Sequence, residues 1–255
     1  MPPLRDLDTI RSILNQDRPW SAYILGDLAP GSYEHCTFHC TETCDGMVAL
    51  YRGLGFPILF WLNAHPAILD EFNEPAVFVN LRVSDAGMLA GRYRMLEAKL
   101  MGRFVLDLAH WTPTYGEGAQ RLAETDLIAL QTLYADGVPN DEQPYFFYPS
   151  MLTEGVFYGQ WEGSELIAVA GTHQVVQQEG VAAVGNVYTR RDHRGKGLAA
   201  QLTSAVTIHL LEMGISTIVL NVEQSKPNAR RVYERLGFRL HCEFLEGRAV
   251  REDLN

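Results

Sequence analysis

Arg194-Gly195-Lys196-Gly197-Leu198-Ala199 stands between two runs of opposite character. Upstream, residues 181–189 (Val-Ala-Ala-Val-Gly-Asn-Val-Tyr-Thr) are apolar and rich in β-branched side chains, the pattern of a buried strand. Downstream, Leu198, Leu202, Ala205, Val206, Leu210 and Met213 recur at helical spacing and give a broad apolar face. The stretch is therefore a glycine-rich turn that joins a strand to the start of a helix. A helix start leaves backbone N–H groups without partners and carries a partial positive charge. Gly195 and Gly197 permit a ligand to approach that backbone closely. Arg190, Arg191, Arg194 and Lys196 concentrate positive charge in a chain of formal net charge -10. A diphosphate is the natural ligand of such a turn. Neither Gly-x-x-x-x-Gly-Lys-[Ser/Thr] nor Gly-x-Gly-x-x-Gly occurs here, which argues against the common nucleotide-binding loops.

About thirty residues later comes Asn228-Ala229-Arg230-Arg231-Val232-Tyr233-Glu234-Arg235-Leu236-Gly237-Phe238. Pro227 and Gly237 are start and stop signals for a helix. Ala229, Val232 and Leu236 make its core face, and Tyr233 falls at the edge of that face. Taken alone, Tyr233 reads as an amphipathic residue with a packed ring and a wet hydroxyl.

With both elements in this order, residues 120–245 resemble the GNAT superfamily of N-acyltransferases. The signature [Arg/Gln]-x-x-Gly-x-[Gly/Ala] is matched by Arg194, Gly197 and Ala199. The resemblance implies that backbone N–H groups of Gly195, Lys196, Gly197, Leu198 and Ala199 hold the pyrophosphate of coenzyme A. It implies that the strand at Val187, Tyr188 and Thr189 pairs with the pantetheine arm, and that a backbone N–H near Val187 polarises the thioester carbonyl. Tyr233 would protonate the leaving thiolate. The family often places an asparagine seven residues before this tyrosine; Lys226 stands there, and Asn228 follows as the alternative contact to the pantetheine arm. Many members carry a glutamate base eleven residues ahead of the motif, where this chain has Ala183. Glu223, His173 and Glu179 are the candidates to replace it.

The implied fold is α/β: a mixed sheet with splayed central strands, formed by 116–255, and a smaller α/β domain at 1–115. The splayed pair would be the strands at 181–189 and 218–222, with coenzyme A entering between them. The N-terminal segment has no convincing cradle and resembles the degenerate first half of a tandem GNAT pair. Its own readings are strands near 37–39, 47–51 and 77–82, an apolar run at 57–62, and helices near 64–72 and 84–93. The connector is the Pro- and Gly-rich stretch 112–118. In the C-terminal half, 119–135 reads as a helix, 136–149 as an aromatic-rich loop facing the acceptor or packed under the sheet, and 156–161 with 166–176 as a hairpin. Residues 239–244 and 248–251 read as two strands turning at Glu246-Gly247.

Composition bounds the rest. The 255 residues are 47% hydrophobic and 20% charged, normal for a globular fold of one large or two ordinary domains. No apolar run is long enough to span a membrane, and the first residues lack a signal-peptide pattern, so a cytoplasmic protein is expected. The acidic balance argues against nucleic-acid binding. Cys36, Cys40 and Cys44 lie four apart, which is no common zinc spacing, and on a strand the cysteines would share a face with Phe38 as small core residues. The expectation is an acetyl-CoA-dependent N-acetyltransferase acting on a primary amine through a ternary complex, without a metal, as a monomer or homodimer. Two other readings stay open: a coenzyme-A-binding regulatory or scaffold module, and an acyltransferase using a longer acyl-CoA.

Overall fold

The structure is a computed structural model that describes residues 3–144 and 146–252. Tyr145, in the aromatic-rich loop, lies outside the described residues. The chain begins with helices α1 (Leu7–Leu14) and α2 (Arg18–Gly26), followed by strands β1 (Cys36–Cys40), β2 (Met47–Tyr51), β3 (Ile58–Leu62), β4 (Ala76–Arg82) and β5 (Tyr93–Leu106). Strand β6 (Ala119–Arg121), helices α3 (Leu127–Ala135) and α4 (Met151–Glu154), and strands β7 (Tyr158–Glu162), β8 (Glu165–Val176) and β9 (Val181–Thr189) come next. Helix α5 (Leu198–Glu212), strand β10 (Thr217–Glu223), helix α6 (Pro227–Leu236) and strand β11 (Phe238–Arg251) complete it.

The chain divides into two compact units that are discontinuous in sequence. The first holds 1–103, 222–225 and 240–255; the second holds 104–221 and 226–239. Connector 112–118 lies inside the second unit.

In the first unit the strand order is β1-β2-β3-β4-β11-β5. β1, β2 and β3 are antiparallel neighbours, β3 runs parallel to β4, and β4 runs antiparallel to β11. The core gathers Val48, Leu50, Trp61, Leu69, Phe72 and Val79. Sequence patterning misses three features here. α1 and α2 are short helices, each started by an aspartate: Asp6 accepts from the Thr9 N–H and Asp17 from the Trp20 N–H. Segments 64–72 and 84–93, read as helices, are 3-10 turns over Pro66–Glu71 and Val83–Leu89, and Tyr93 already begins β5. Glu246-Gly247 is no turn, because β11 runs straight through it with Gly247 paired to Val79. The glycine is there for space, since a Cβ on Gly247 would collide with the Glu97 carbonyl.

In the second unit the order is β10-β9-β8-β7-β6. β9 runs parallel to β10 and antiparallel to β8, and β7 runs antiparallel to both β8 and β6. Helices α3 and α5 cover this sheet, and α6 packs on α5. The stretch 119–135 starts as a strand rather than a helix: Ala119, Gln120 and Arg121 pair with Gln160, Gly159 and Tyr158. The Arg121 guanidinium fixes that edge by donating to the carbonyls of Phe157 (3.0 Å) and Gly155 (2.6 Å). Helix α3 then begins only at Leu127. From the aromatic-rich loop, Phe147 packs against Tyr134 and Phe157 at ring distances of 5.4 and 6.1 Å, while Tyr148 is exposed.

Candidate active site

β9, the turn 190–197 and α5 form one strand–turn–helix, and three local features open it to a ligand. The first is at the sheet. β10 pairs with β9 from Thr217↔Val181 to Leu220↔Val184 and no further. Gly185 to Thr189 continue along β8 without a β10 partner, so the two parallel strands part at this level. A strand edge freed in this way offers its N–H and C=O groups to an extended ligand.

The second is a bulge in the freed segment. Gly185 pairs with Gly171 and Tyr188 with Val169, so Asn186 and Val187 together face the single residue Ala170. Asn186 carries the bulge in the left-handed conformation, φ 54°, which asparagine tolerates better than most residues. The Tyr134 hydroxyl donates to its carbonyl at 2.9 Å, and its own amide donates to the Thr172 carbonyl at 3.3 Å. Its Oδ1 is buried with no partner. Asn186 is a feature that sequence reading missed; an asparagine inside a β-branched run was the available signal.

The third is the turn. Gly195 and Gly197 both adopt positive φ, 80° and 81°, and Gly197 is the N-cap of α5 with no side-chain cap. Gln201 is the first α5 residue whose N–H finds a carbonyl, that of Gly197 at 3.1 Å. The N–H groups of Leu198, Ala199 and Ala200 have no intrahelical acceptor, which is the ordinary state of a helix start and suits an anion. A Cβ on Gly195 or Gly197 would meet nothing within 4 Å, so the backbone angle, not crowding by protein, selects glycine.

The charges around the turn are sorted by the fold. Arg194 makes a two-point pair with Glu142 (2.6 and 3.2 Å) and donates to the Thr189 carbonyl at 3.2 Å. That pairing holds the Glu142 carboxyl below its ordinary range. Arg191 is held by Asp136, which also accepts from the Tyr188 hydroxyl at 2.8 Å. Arg190 bridges Asp192 and Glu165, and the buried His193 lies between Asp192 (2.7 Å) and Glu162 (3.1 Å). The three arginines thus brace the turn, and Lys196, exposed at its tip, has no ion-pair partner among the described residues.

On α6, Tyr233 is buried beside Phe238, with ring centroids 6.3 Å apart. Burial pushes its phenol up to about 12, so it stays protonated at neutral pH. Its hydroxyl meets no hydrogen-bond partner among the described residues. The helix ends at Gly237, φ 99°, where a Cβ would also collide with the backbone of His110 and Trp111. The Gly237 carbonyl accepts from Asp107 N–H at 3.1 Å and that of Leu236 from Thr112 N–H at 3.2 Å, which fixes the end of α6. Asn228 is exposed in the first turn of α6.

Residues 125–238 match the acetyltransferase (GNAT) family. This segment is a GNAT domain. A relative named mycothiol acetyltransferase, from Corynebacterium aurimucosum, is 24% identical over 221 residues, covering 75% of this chain and 71% of that one. A solved GNAT-family acetyltransferase from Novosphingobium aromaticivorans superposes with a TM-score of 0.64 at 20% identity, over 92% of this chain and 100% of the other. A tandem GNAT protein from the clavulanic acid biosynthesis pathway gives a TM-score of 0.58 at 12% identity, covering 98% of this chain and 97% of that one. These two likenesses concern the fold.

Proteins of the GNAT family use acetyl-CoA as co-substrate, and residues 125–238 carry the acetyltransferase domain of that family. Within the GNAT domain, the structure brings Val187, Tyr188, Thr189 and Arg194 to Ala199 into one continuous run. Tyr188 points away from the freed edge, into the aromatic cluster with Tyr134, and on to Asp136. Of the residues weighed as a base, Glu223 ends β10 and accepts a hydrogen bond from the Ser225 hydroxyl. His173 lies on β8 against Gly185, and burial pushes its imidazole down to about 4, so it is neutral at physiological pH. Glu179 sits in the 3-10 turn before β9. Ala183, where a base stands in many members, is fully buried and pairs with Gln174.

Proposed function

We propose that this protein transfers the acetyl group of acetyl-CoA to a primary amine by direct attack in a ternary complex. The observation that carries the reading is the parting of β9 and β10 after Val184 and Leu220, immediately ahead of a bare helix start with two left-handed glycines. The diphosphate rests on the N–H groups from Gly195 to Ala199, with Lys196 as the nearby free cation. The pantetheine arm pairs with Val187 and Thr189 along the freed edge, and Asn228 meets it from α6. The bulge at Asn186 turns the Val187 N–H toward the thioester oxygen.

The amine nitrogen attacks the thioester carbon, and its lone pair becomes the new C–N bond. The tetrahedral centre collapses with loss of the C–S bond. Tyr233 gives its proton to the departing sulfur, yielding coenzyme A thiol and an acetamide. The proton lost by the amine passes to a base, a role assigned to Glu223 from its position at the end of β10. His173 is a poor alternative because its imidazole resists protonation above about pH 4.

The relative named mycothiol acetyltransferase puts acceptors related to mycothiol first in a panel of amines. The test is release of free thiol from acetyl-CoA with each amine, with product mass measured in parallel. Acetylation of at least one amine at catalytic rates is the expected result. Coenzyme A binding with no turnover on any acceptor would favour the regulatory module instead. Turnover only with longer acyl donors would replace the acetyl donor.

A further inference from the structure

The cysteine motif of the first unit has no part in the strand–turn–helix site. Cys36 is core: it is 2% exposed, and its thiol lies near the carbonyls of Ser32 and Asp27. Cys40 and Cys44 are different. Cys40 ends β1, and Cys44 sits in the following loop with φ 52°, a left-handed conformation that costs a residue of this type free energy. The loop is stitched around Thr41. Its N–H donates to the Gly46 carbonyl (3.0 Å), its carbonyl accepts from Cys44 N–H (3.0 Å), and its Oγ1 accepts from the N–H of Asp45 (3.1 Å) and of Gly46 (3.3 Å). These bonds fold Cys44 back onto Cys40, and the two sulfurs lie 2.6 Å apart, both half-buried. Both residues line a cavity of about 480 Å³ together with Arg5, Asp6, Thr41 and Glu42.

We propose that Cys40 and Cys44 form a reversible intrachain disulfide by exchange with a small amino-acid-derived disulfide entering this cavity. Charges of both signs on its wall, Arg5 against Asp6 and Glu42, suit a molecule carrying ammonium and carboxylate groups. The Cys44 sulfur, having lost its proton, attacks one sulfur of the small disulfide. That S–S bond breaks and the first half leaves as a thiol after taking up a proton. Cys40 then loses its proton and attacks the Cys44 sulfur, and the second half leaves as a thiol. Two protein thiols are oxidised, one small disulfide is reduced to two thiols, and no further oxidant enters. Burial, followed by the contact with Cys44, pushes the Cys40 thiol up to about 11, so Cys40 is the poorer first nucleophile. Its step is intramolecular, where proximity compensates for a small thiolate fraction.

The test uses the full chain, reduced and then equilibrated with mixtures of reduced and oxidised glutathione. Remaining thiols are alkylated after an acid quench, and peptides are weighed. The expected result is that the peptide spanning 40–44 loses both labels and two hydrogens together, while Cys36 and Cys242 stay labelled. In Cys40→Ser, whose fold is checked by circular dichroism, a glutathione adduct should persist on Cys44. The Cys44→Ser variant serves if Cys40→Ser fails to fold, and its Cys40 should then form no intrachain bond. Full labelling of Cys40 and Cys44 in the wild type under the most oxidising mixture would overturn the proposal. So would a lasting glutathione adduct on either of them as the wild type's end product.

Discussion

At the scale of single residues, Tyr233 is the clearest case of an environment that sets a protonation state. Its phenol, pushed up to about 12 by burial, stays protonated across the whole physiological range, as the proposed acid requires. Tyr233→Phe is expected to leave acetyl-CoA affinity within about twofold and to slow turnover by roughly two orders of magnitude, within the usual range for a positioned acid. Unchanged turnover would remove Tyr233 from the mechanism. His173 shows the opposite shift. Its folded pKa of about 4 lies below the unfolded value near 6.5. Below about pH 6.5 the unfolded chain binds a proton that the native site refuses, so this residue's contribution to stability falls as pH drops toward 4 and is level beneath it. Its ring resonances should stay in the neutral form from pH 8 to about pH 5 in an NMR titration; a midpoint near 6.5 would contradict the burial argument. The left-handed glycines of the turn, Gly195 and Gly197, were legible from local spacing, whereas spacing alone gave Tyr233 only a place at the edge of a core face. The acids that brace the turn were not, because Glu142 and Asp136 lie some fifty residues before their arginines and belong to a loop with no pattern of its own.

At the scale of elements, the sequence told strand from helix wherever the period was clean. It gave β9, α5, β10 and α6 within a residue or two. It failed where a different rule decided the backbone. Ala119 to Arg121 joined an edge because Arg121 reaches two carbonyls, and Gly247 was read as a turn although it exists to let a strand pass close to Glu97. The bulge in β9 is the most consequential omission, since one extra residue redirects the strand at the place where pairing with β10 has ended. Asn186→Gly retains access to positive φ and should bind acetyl-CoA nearly as the wild type does. Asn186→Val places a β-branched residue where φ is 54° and should weaken binding tenfold or more, read by titration calorimetry. Equal affinity in the two variants would show that the bulge is not needed. At the other end of the site, Gly237→Ala meets both positive φ and the His110 carbonyl. A loss of stability on the order of 2 kcal/mol or more is expected in denaturant unfolding. A loss under about 0.5 kcal/mol would mean that the 107–112 segment moves aside at little cost.

At the scale of the whole molecule, two compact units share one chain, and each has its own buried core. Likeness to solved GNAT structures extends over more than nine-tenths of the chain, whereas the family match is confined to 125–238. That difference has a physical reading. A fold is kept by a pattern of buried apolar residues that many sequences satisfy, while a diphosphate turn demands particular glycines at particular angles. The N-terminal segment accordingly has α/β character without a recognisable motif, and its short helices α1 and α2 carry too few residues to show a clear period. Among the described residues no helix is long and apolar enough to cross a membrane, and no three His, Cys, Asp or Glu side chains converge as metal ligands. The central claim, that the turn after β9 is the acetyl-CoA cradle, is tested most directly by calorimetric titration of acetyl-CoA into the wild type and Gly197→Glu. The account predicts saturable one-site binding in the wild type and none in the variant, where a carboxylate stands against the diphosphate at a residue already in the left-handed region. Equal binding by a folded Gly197→Glu, or no binding by the wild type, would contradict it.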